Sequence, residues 1–135
     1  CIQINIDSEE YDVHEFDDTS KIKMSSRYFN DIIKDFLDIG ENLRIKILKD
    51  KEKISLKTDG EMTAIKMVLN NDELDYENLK DICLEFNLKN ISIFSKGYMI
   101  HSDIQIEIDN DIPVKMSYKV GDGYIDYYLA PKMED

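Results

Sequence analysis

Four basic residues fall at matched positions in two segments of this 135-residue chain. Arg27 and Lys34 are seven residues apart, as are Lys89 and Lys96, so each pair would lie on one face of a helix. The two pairs are themselves 62 residues apart. A domain that places both helices side by side would present four cations on its helical flank, where they could contact an anionic polymer. The alternative is a solvated helix face with scattered Lys and Arg.

The same offset relates the apolar patterns of the two halves, which indicates an internal repeat. In the first half a short strand at 21–24 precedes a helix, because five apolar residues then recur at the spacing of one helical face: Phe29, Ile32, Ile33, Phe36 and Leu37. Ser25 or Ser26 offers the N-cap, and Gly40 is placed to end this helix. The second half repeats this order with a strand at 82–86 and a shorter helix that carries Leu88, Ile91 and Phe94.

Three strands are expected after each helix, at 43–47, 54–56 and 62–69 in the first half and at 104–108, 114–120 and 124–128 in the second. A turn of Gly121, Asp122 and Gly123 joins the last pair as a hairpin. Each half therefore consists of one strand, one helix and three strands. Because such a unit cannot bury its sheet and helix faces by itself, we expect one α+β domain of two βαβββ repeats, with both helices on one side of antiparallel sheets.

Charge is distributed unevenly along the chain. The net charge is −12, and the first 20 residues contribute −7 of it, because they contain seven acidic residues and no Lys or Arg. Such a stretch is typical of an extended connector, although Ile2, Ile4 and Ile6 alternate as a strand would. The net charge argues against a protein that holds DNA tightly by counterion release, but most of the negative charge lies in this short stretch.

No group of residues in the sequence indicates catalysis, a metal site or a cofactor. His14 and His101 lie in unrelated contexts, the carboxylates fall in solvated runs, and no Gly-rich phosphate loop occurs. Cys1 and Cys83 lack the Cys-x-x-Cys spacing of metal sites and are interpreted as free thiols. We therefore expect a protein that is not an enzyme.

Length and hydropathy limit the number of domains and argue against a membrane span. With 42% hydrophobic residues the chain can fill the core of one domain, and no second large domain fits. No apolar run approaches the length of about 18 residues expected of a membrane span, and no signal peptide is indicated. We expect a soluble, intracellular protein with no membrane partner. The start at Cys1, without a methionine, suggests a piece of a longer protein.

The last nine residues have the most distinctive pattern in the chain: Tyr127-Tyr128-Leu129-Ala130-Pro131-Lys132-Met133-Glu134-Asp135. Taken by themselves, they could be an ordinary edge strand that a proline ends. They resemble, however, the carboxy-terminal signature of the proliferating cell nuclear antigen family of eukaryotic-type DNA sliding clamps. Four more segments match that family in order, namely Lys23-Met24, Gly60-Glu61, Asp111-Ile112-Pro113-Val114 and Tyr118-Lys119-Val120.

This resemblance implies that residues 1–20 are an acidic interdomain connector linker and residues 21–135 the C-terminal domain of a clamp. The implied function is that of a polymerase processivity factor in DNA replication and repair. It would be a nuclear, or virally encoded, homotrimer of two-domain subunits that encircles duplex DNA without sequence preference. The expected partners are DNA polymerase, the clamp loader and repair proteins. The chain by itself would neither close a ring nor stay on DNA.

The alternative function is that of a non-enzymatic acidic adaptor, or of a subunit of a heteromeric checkpoint clamp, with the same fold. Checkpoint clamps usually lose the Tyr-Leu-Ala-Pro-Lys tail, which this chain keeps.

In this family the two helices line the wall that faces DNA. By resemblance, Lys34, Lys89 and Lys96 stand where the family carries basic residues, and Arg27 joins them through the repeat. Asp31 stands where a basic residue is common, so the contact with phosphates would be weak. Encirclement needs only loose, sequence-independent phosphate contacts, and a tight grip would oppose sliding.

The resemblance also implies a docking pocket at three separated apolar segments. In the family the linker, the proline before the penultimate strand and the tail surround a pocket for a short partner motif, in which a glutamine is followed by an aliphatic plug and two aromatic residues. The pocket would be lined by Tyr11, Val13, Pro113, Tyr128, Leu129, Ala130, Pro131, Lys132 and Met133. His14 stands where the family has a proline, so the linker would be less rigid. The alternative is that the apolar linker residues merely attach the linker to the domain.

Two further features are implied in the first half. The strand at 62–69 would be a free edge that pairs antiparallel with the first domain of a neighbouring subunit, through Met62, Thr63, Ala64, Ile65, Lys66 and Met67. The alternative is a central strand without a free edge. Lys49, followed by Asp50, resembles the lysine that receives ubiquitin-family modifiers.

Overall fold

Nine strands and two α-helices form within residues 18–132, the part of the chain that the computed structural model describes. In chain order they are β1 (Ser20–Ser25), α1 (Ser26–Leu37), β2 (Asn42–Leu48), β3 (Lys53–Asp59), β4 (Ala64–Val68), β5 (Asp75–Glu77), β6 (Ile82–Asn87), α2 (Leu88–Ser95), β7 (Asp103–Ile108), β8 (Val114–Val120) and β9 (Gly123–Leu129). Two short 3-10 turns, Asn71–Glu73 and Lys96–Met99, follow β4 and α2.

Both α-helices begin at a side-chain cap, and the two caps are 62 residues apart. Ser25 accepts a hydrogen bond from the backbone N–H of Tyr28 at 3.2 Å, and Asn87 accepts one from that of Asn90 at 3.0 Å. Of the two caps that the sequence offered, Ser25 or Ser26, Ser25 is therefore the one that the helix uses. The apolar face of α1 is one residue shorter than expected, because Leu37 is 39% exposed.

The strands form two antiparallel sheets. Sheet A has the order β5-β1-β7-β8-β9, and sheet B has the order β4-β3-β2-β6. The first strand of each half crosses into the sheet of the other half, since β1 pairs with β7 and β6 pairs with β2. Met24 lies opposite Ile104, and Phe86 lies opposite Leu43, so the two pairings are equivalent under the repeat. Each half thus completes the sheet of the other, and the expected α+β repeat is confirmed.

One hydrophobic core joins both halves. Its largest fully buried side chains are Tyr118, Phe29, Phe36, Phe86, Ile33, Leu43, Ile47, Ile54, Leu88, Ile91, Ile104 and Ile108. Burying one such side chain stabilises a fold by about 1.5–3 kcal/mol before entropy is counted. The helices pack side by side, and Ser95 Oγ donates a 2.9 Å hydrogen bond to Asn30 Oδ1 at their buried contact. Both helices therefore lie on one side, as expected.

The structure departs from the expected strands in two places. β4 spans Ala64–Val68, which is shorter than the expected strand at 62–69. β5 was not expected, because its three residues carry no periodic signal. Within residues 18–132, no helix is both long and apolar enough to cross a membrane.

Candidate functional site

The first candidate surface is the helical flank, formed by α1, α2 and the 3-10 turn after α2. The four cations singled out in the sequence are all exposed: Arg27, Lys34, Lys89 and Lys96. Because the helices pack side by side, the cations belong to neighbouring elements on one side of the domain. Their assignment to DNA stays a prediction.

The two helices of this flank differ in charge. α1 carries Asp31 and Asp35, both exposed, whereas α2 contains no acidic residue. The guanidinium of Arg27 lies 5.6 Å from the centre of the Tyr98 ring, a distance typical of a cation–π contact. Arg27 is therefore partly engaged within the domain, and we expect the lysines of the second half to be the more available cations.

The second candidate surface is the end of sheet A at which β9 stops, which we call the tail end of sheet A. Ser20 at the start of β1 lies opposite Ile108 at the end of β7, and Val114 at the start of β8 lies opposite Leu129 at the end of β9. Three segments that are distant in sequence therefore leave the sheet at the same end: the C-terminal end of the acidic stretch, the loop that carries Pro113, and the tail.

The tail crosses from sheet A to sheet B. The backbone N–H of Lys132 donates a 2.7 Å hydrogen bond to the carbonyl of Glu85 in β6, the outer strand of sheet B. The Lys132 ammonium donates to Asn42 Oδ1 at 2.9 Å. These two bonds hold the segment after Leu129 against sheet B, so the tail has a defined path as far as Lys132.

The predicted docking residues that the structure describes lie close together in the fold. Pro113 is buried, Tyr128, Leu129 and Pro131 are half-buried, and Ala130 is exposed. Burial raises the pKa of the Tyr128 hydroxyl above its ordinary value, so this group is neutral at physiological pH and able to donate a hydrogen bond.

Part of the predicted pocket cannot be placed. Tyr11, Val13 and Met133 lie outside the described residues. Two cavities, of about 230 and 140 Å³, lie instead over strands of sheet A and share Lys23 and Gln105. The pocket therefore stays a prediction.

The strand expected to join a neighbouring subunit is β4. β4 pairs with β3 on one side and ends the strand order of sheet B, so the alternative of a central strand is wrong for this domain. Met62 and Thr63 precede the strand and are exposed. Ala64 and Lys66 are exposed, while Ile65 and Met67 are half-buried. Among the described strands, none pairs with the outer edge of β4, which leaves its backbone groups open to a further strand.

Lys49 lies directly after β2 in an exposed turn. Its backbone N–H donates a 2.9 Å hydrogen bond to Asp81 Oδ1, which fixes the turn and leaves the ammonium in solvent. The modification of Lys49 stays a prediction.

The sequence analysis missed two residues at the tail end of sheet A. Asn78 and Lys80 contact the segment that ends the acidic stretch, some 60 residues earlier in the chain. No periodicity or motif marks a polar contact over such a separation. Within residues 18–132, no group of three or more His, Cys, Asp or Glu side chains is placed to hold a metal ion.

Comparisons with known proteins agree with this fold. The family model described as "Proliferating cell nuclear antigen, C-terminal domain" matches residues 12–133. Among solved structures, the chain is similar to proliferating cellular nuclear antigen from Entamoeba histolytica, with a TM-score of 0.80 and 30% sequence identity. The match covers 91% of this chain and 49% of that one, so this chain spans about half the length of that relative.

Proposed function

This chain belongs to the proliferating cell nuclear antigen family, and from that premise we propose that it forms the C-terminal half of a DNA sliding clamp. Residues 1–20 would be the interdomain connector linker and residues 21–135 the clamp domain. The native protein would act in the nucleus as a homotrimeric ring that encircles duplex DNA during replication and repair. It would be a scaffold that keeps polymerases on DNA, with no catalytic step of its own.

The observation that carries this proposal is the helical flank. Two helices related by the repeat lie side by side, and together with the 3-10 turn that begins at Lys96 they expose lysines or arginines at matched positions. Contacts from such side chains to phosphates are independent of sequence and allow sliding. A ring holds DNA by topology, so a domain with a negative net charge can serve as a clamp without a tight grip.

The tail end of sheet A supports a role in docking. Leu129 and Pro131 are half-buried apolar residues on either side of the exposed Ala130. An aliphatic plug and two aromatic residues of a partner would pack on this apolar surface, as peptides do in hydrophobic grooves. The acidic stretch would attract partners whose motif is flanked by basic residues. Polymerases, the clamp loader and repair proteins that carry the glutamine-aliphatic-aromatic motif are the expected partners.

The free edge of β4 supports ring closure. An antiparallel strand from the first domain of the next subunit would satisfy its unpaired backbone groups. In the same native ring, the exposed Lys49 would be open to modification by ubiquitin-family proteins.

The encirclement is tested by a topological assay on the native protein that contains this chain. The protein is loaded onto nicked circular DNA by a clamp loader with ATP, and free protein is removed by gel filtration. We expect the bound protein to stay on circular DNA and to leave when a restriction enzyme linearises it. Retention on linear DNA, or failure to load on any DNA, would contradict the proposal and favour an adaptor that does not encircle DNA.

The docking function is tested by titrating a labelled peptide with the glutamine-aliphatic-aromatic motif. Leu129→Asp places a charge in the proposed pocket and should abolish detectable binding. Val120→Asp is the matched control, because Val120 is an exposed apolar residue at the opposite end of sheet A. Since Leu129 also contacts the core, Ala130→Glu, at an exposed position, provides a variant that should fold normally and still lose binding. Unchanged binding by both pocket variants would remove the assignment.

A further inference from the structure

A network of hydrogen bonds connects the β5–β6 loop to the end of the acidic stretch. The side-chain amide of Asn78 donates to the backbone oxygen of Asp18 at 2.9 Å, to its carboxylate at 3.0 Å and to the backbone oxygen of Thr19 at 3.2 Å. Ser20 Oγ donates to the carbonyl of Asn78 at 2.9 Å and accepts the N–H of Lys80 at 3.0 Å. Five residues thus fix the point at which the acidic stretch enters β1.

Lys80 extends this network to the loop between β7 and β8. Its ammonium lies 3.1 Å from Asp18 Oδ2 and 2.7 Å from Asp109 Oδ2. The Asp109 side chain is 20% exposed, so its bond to Lys80 is shielded from solvent more than an ordinary surface pair. Asn110, the next residue, donates from its side chain to the carbonyl of Asp81 at 3.3 Å. We call Asn78 and Lys80, with their partners Asp18, Ser20 and Asp109, the clasp.

The clasp connects two of the segments that the docking proposal requires. Asp18 ends the acidic stretch, and Asp109 begins the loop that leads through Ile112 to the buried Pro113. Lys80 lies between them and bonds to both. The hydrogen bond from Lys80 holds the pKa of the Asp18 carboxyl below its ordinary value, which agrees with a charge-assisted contact.

We propose that Asn78 and Lys80 are positioning residues of the partner pocket, which hold the end of the acidic stretch and the Pro113 loop in one arrangement before a peptide binds. The inference rests on the docking function proposed above. Neither residue need touch the peptide. Preformed walls lower the ordering cost of association, so a clamp without the clasp would bind the same motif by the same contacts, but more weakly.

The test compares peptide affinities of native-protein variants. Lys80→Met keeps the aliphatic stem but removes the charge, and we expect it to weaken binding of the motif peptide about 3- to 10-fold, the range that one or two newly mobile segments would cost. Lys80→Arg keeps a cation that can reach both carboxylates and should bind within about twofold of the parent. The loss in Lys80→Met should shrink at high salt, because salt weakens the ion pairs in the parent.

Two controls separate positioning from other effects. Lys57→Met removes the same charge from sheet B, where Lys57 contacts Asp59 at 3.6 Å, and should leave peptide affinity unchanged. Asn78→Gly removes three hydrogen bonds without a change in net charge, and glycine tolerates the φ of 57° found at this position. It should weaken binding as Lys80→Met does. Amide exchange at Lys80, whose N–H is bonded to Ser20, should become faster in Asn78→Gly.

The outcomes distinguish this inference from the docking function. If the parent binds the peptide, Leu129→Asp does not, and Lys80→Met binds like the parent, docking stands and the positioning role is overturned. Equal losses in Lys80→Met and Lys57→Met would assign the effect to net charge and would also overturn it. If the parent itself binds no motif peptide, the docking function is overturned, and the inference with it.

Discussion

In each half of the repeat, a glycine that follows the α-helix lies against a side chain of a strand, and the two facing side chains differ in size. After α1, Gly40 lies against Thr58 of β3, and after α2, Gly97 lies against Tyr118 of β8. Thr58 and Tyr118 are equivalent by strand register. A Cβ atom on either glycine would overlap the facing side chain. A close approach of a glycine is therefore combined with a small side chain in one half and a large one in the other.

The difference follows from helix length and from the tail. α1 has 12 residues, whereas α2 has eight and gives way to a 3-10 turn, which leaves space for a tyrosine ring. Tyr118 is fully buried, and its hydroxyl donates a 2.8 Å hydrogen bond to the carbonyl of Phe94. Tyr127 of β9 stacks on Phe94 at 4.8 Å and meets Tyr118 edge-on at 6.3 Å. The second half thus builds an aromatic cluster beneath the strand that leads to the tail.

Among the substitutions that probe this comparison, Gly97→Ala should be the most damaging. The added methyl group would meet the Tyr118 ring, which cannot move away because Tyr127 and Phe94 pack around it. We expect the free energy of unfolding to fall by about 1–3 kcal/mol, the usual cost of overpacking a core. Gly123→Ala is the control, because its nearest neighbour would be 3.9 Å away. Urea unfolding measures the stability of both variants. Equal stabilities would show that the aromatic cluster accommodates the added methyl group without cost, which would contradict the prediction.

Replacing the cations of the helical flank by alanine should change the salt dependence of DNA association by different amounts in the two halves. The pair Lys89→Ala and Lys96→Ala should reduce the salt dependence of DNA association by the native protein more than the pair Arg27→Ala and Lys34→Ala. Each lost phosphate contact lowers the slope of log affinity against log salt by about 0.9. The first half should contribute less, because Arg27 contacts Tyr98 and aspartates surround Lys34. A larger change from the first pair would reverse this ranking.

Removing the side-chain hydroxyl should change the free energy of unfolding in opposite directions at Thr58 and at Tyr118, the two residues that face the glycines. Thr58 is buried and its hydroxyl has no hydrogen-bond partner among the described residues, so Thr58→Val should leave stability unchanged or raise it by about 1 kcal/mol. Tyr118→Phe removes a buried hydrogen bond and should lower stability by about 1 kcal/mol. Thermal or urea unfolding checks both. A loss of stability in Thr58→Val would indicate that its hydroxyl does find a partner.

Ionisation of Tyr118 should have the smallest effect on the free energy of unfolding near neutral pH. Its effect should grow in alkaline solution. Burial raises the pKa of this hydroxyl above its ordinary value of 10.0. A group whose pKa is raised on folding contributes stability that is fully present below the unfolded pKa and is lost as the pH rises above it. Stability should therefore fall above about pH 10, and the fall should be shallower in Tyr118→Phe. Urea unfolding between neutral and alkaline pH measures this effect. An equal fall of the free energy of unfolding with pH in both proteins would contradict the prediction.

The local pattern of the sequence was sufficient to predict the helices and strands of the repeat. The 62-residue offset, the apolar face after Ser25 and the alternation in the strands all reflect residues that are neighbours along the chain. Backbone geometry converts such spacing directly into a helical stripe or a strand face. The exposed cations on the flank follow from the same spacing. The docking residues were assigned by resemblance to a family, and Tyr11, Val13 and Met133 lie outside the described residues.

Tertiary structure decided which edges and loops meet. The exchange of β1 and β6 between halves, the free edge of β4 and the bond from Lys132 to Glu85 depend on contacts between distant segments. The clasp is of the same kind, since Asn78 and Lys80 bond to residues about 60 positions earlier. A polar side chain has no periodic signature, and its partner is set by where the packed strands bring the loops. The sequence therefore determined the elements and their repeat, whereas packing alone decided how the tail end of sheet A is held.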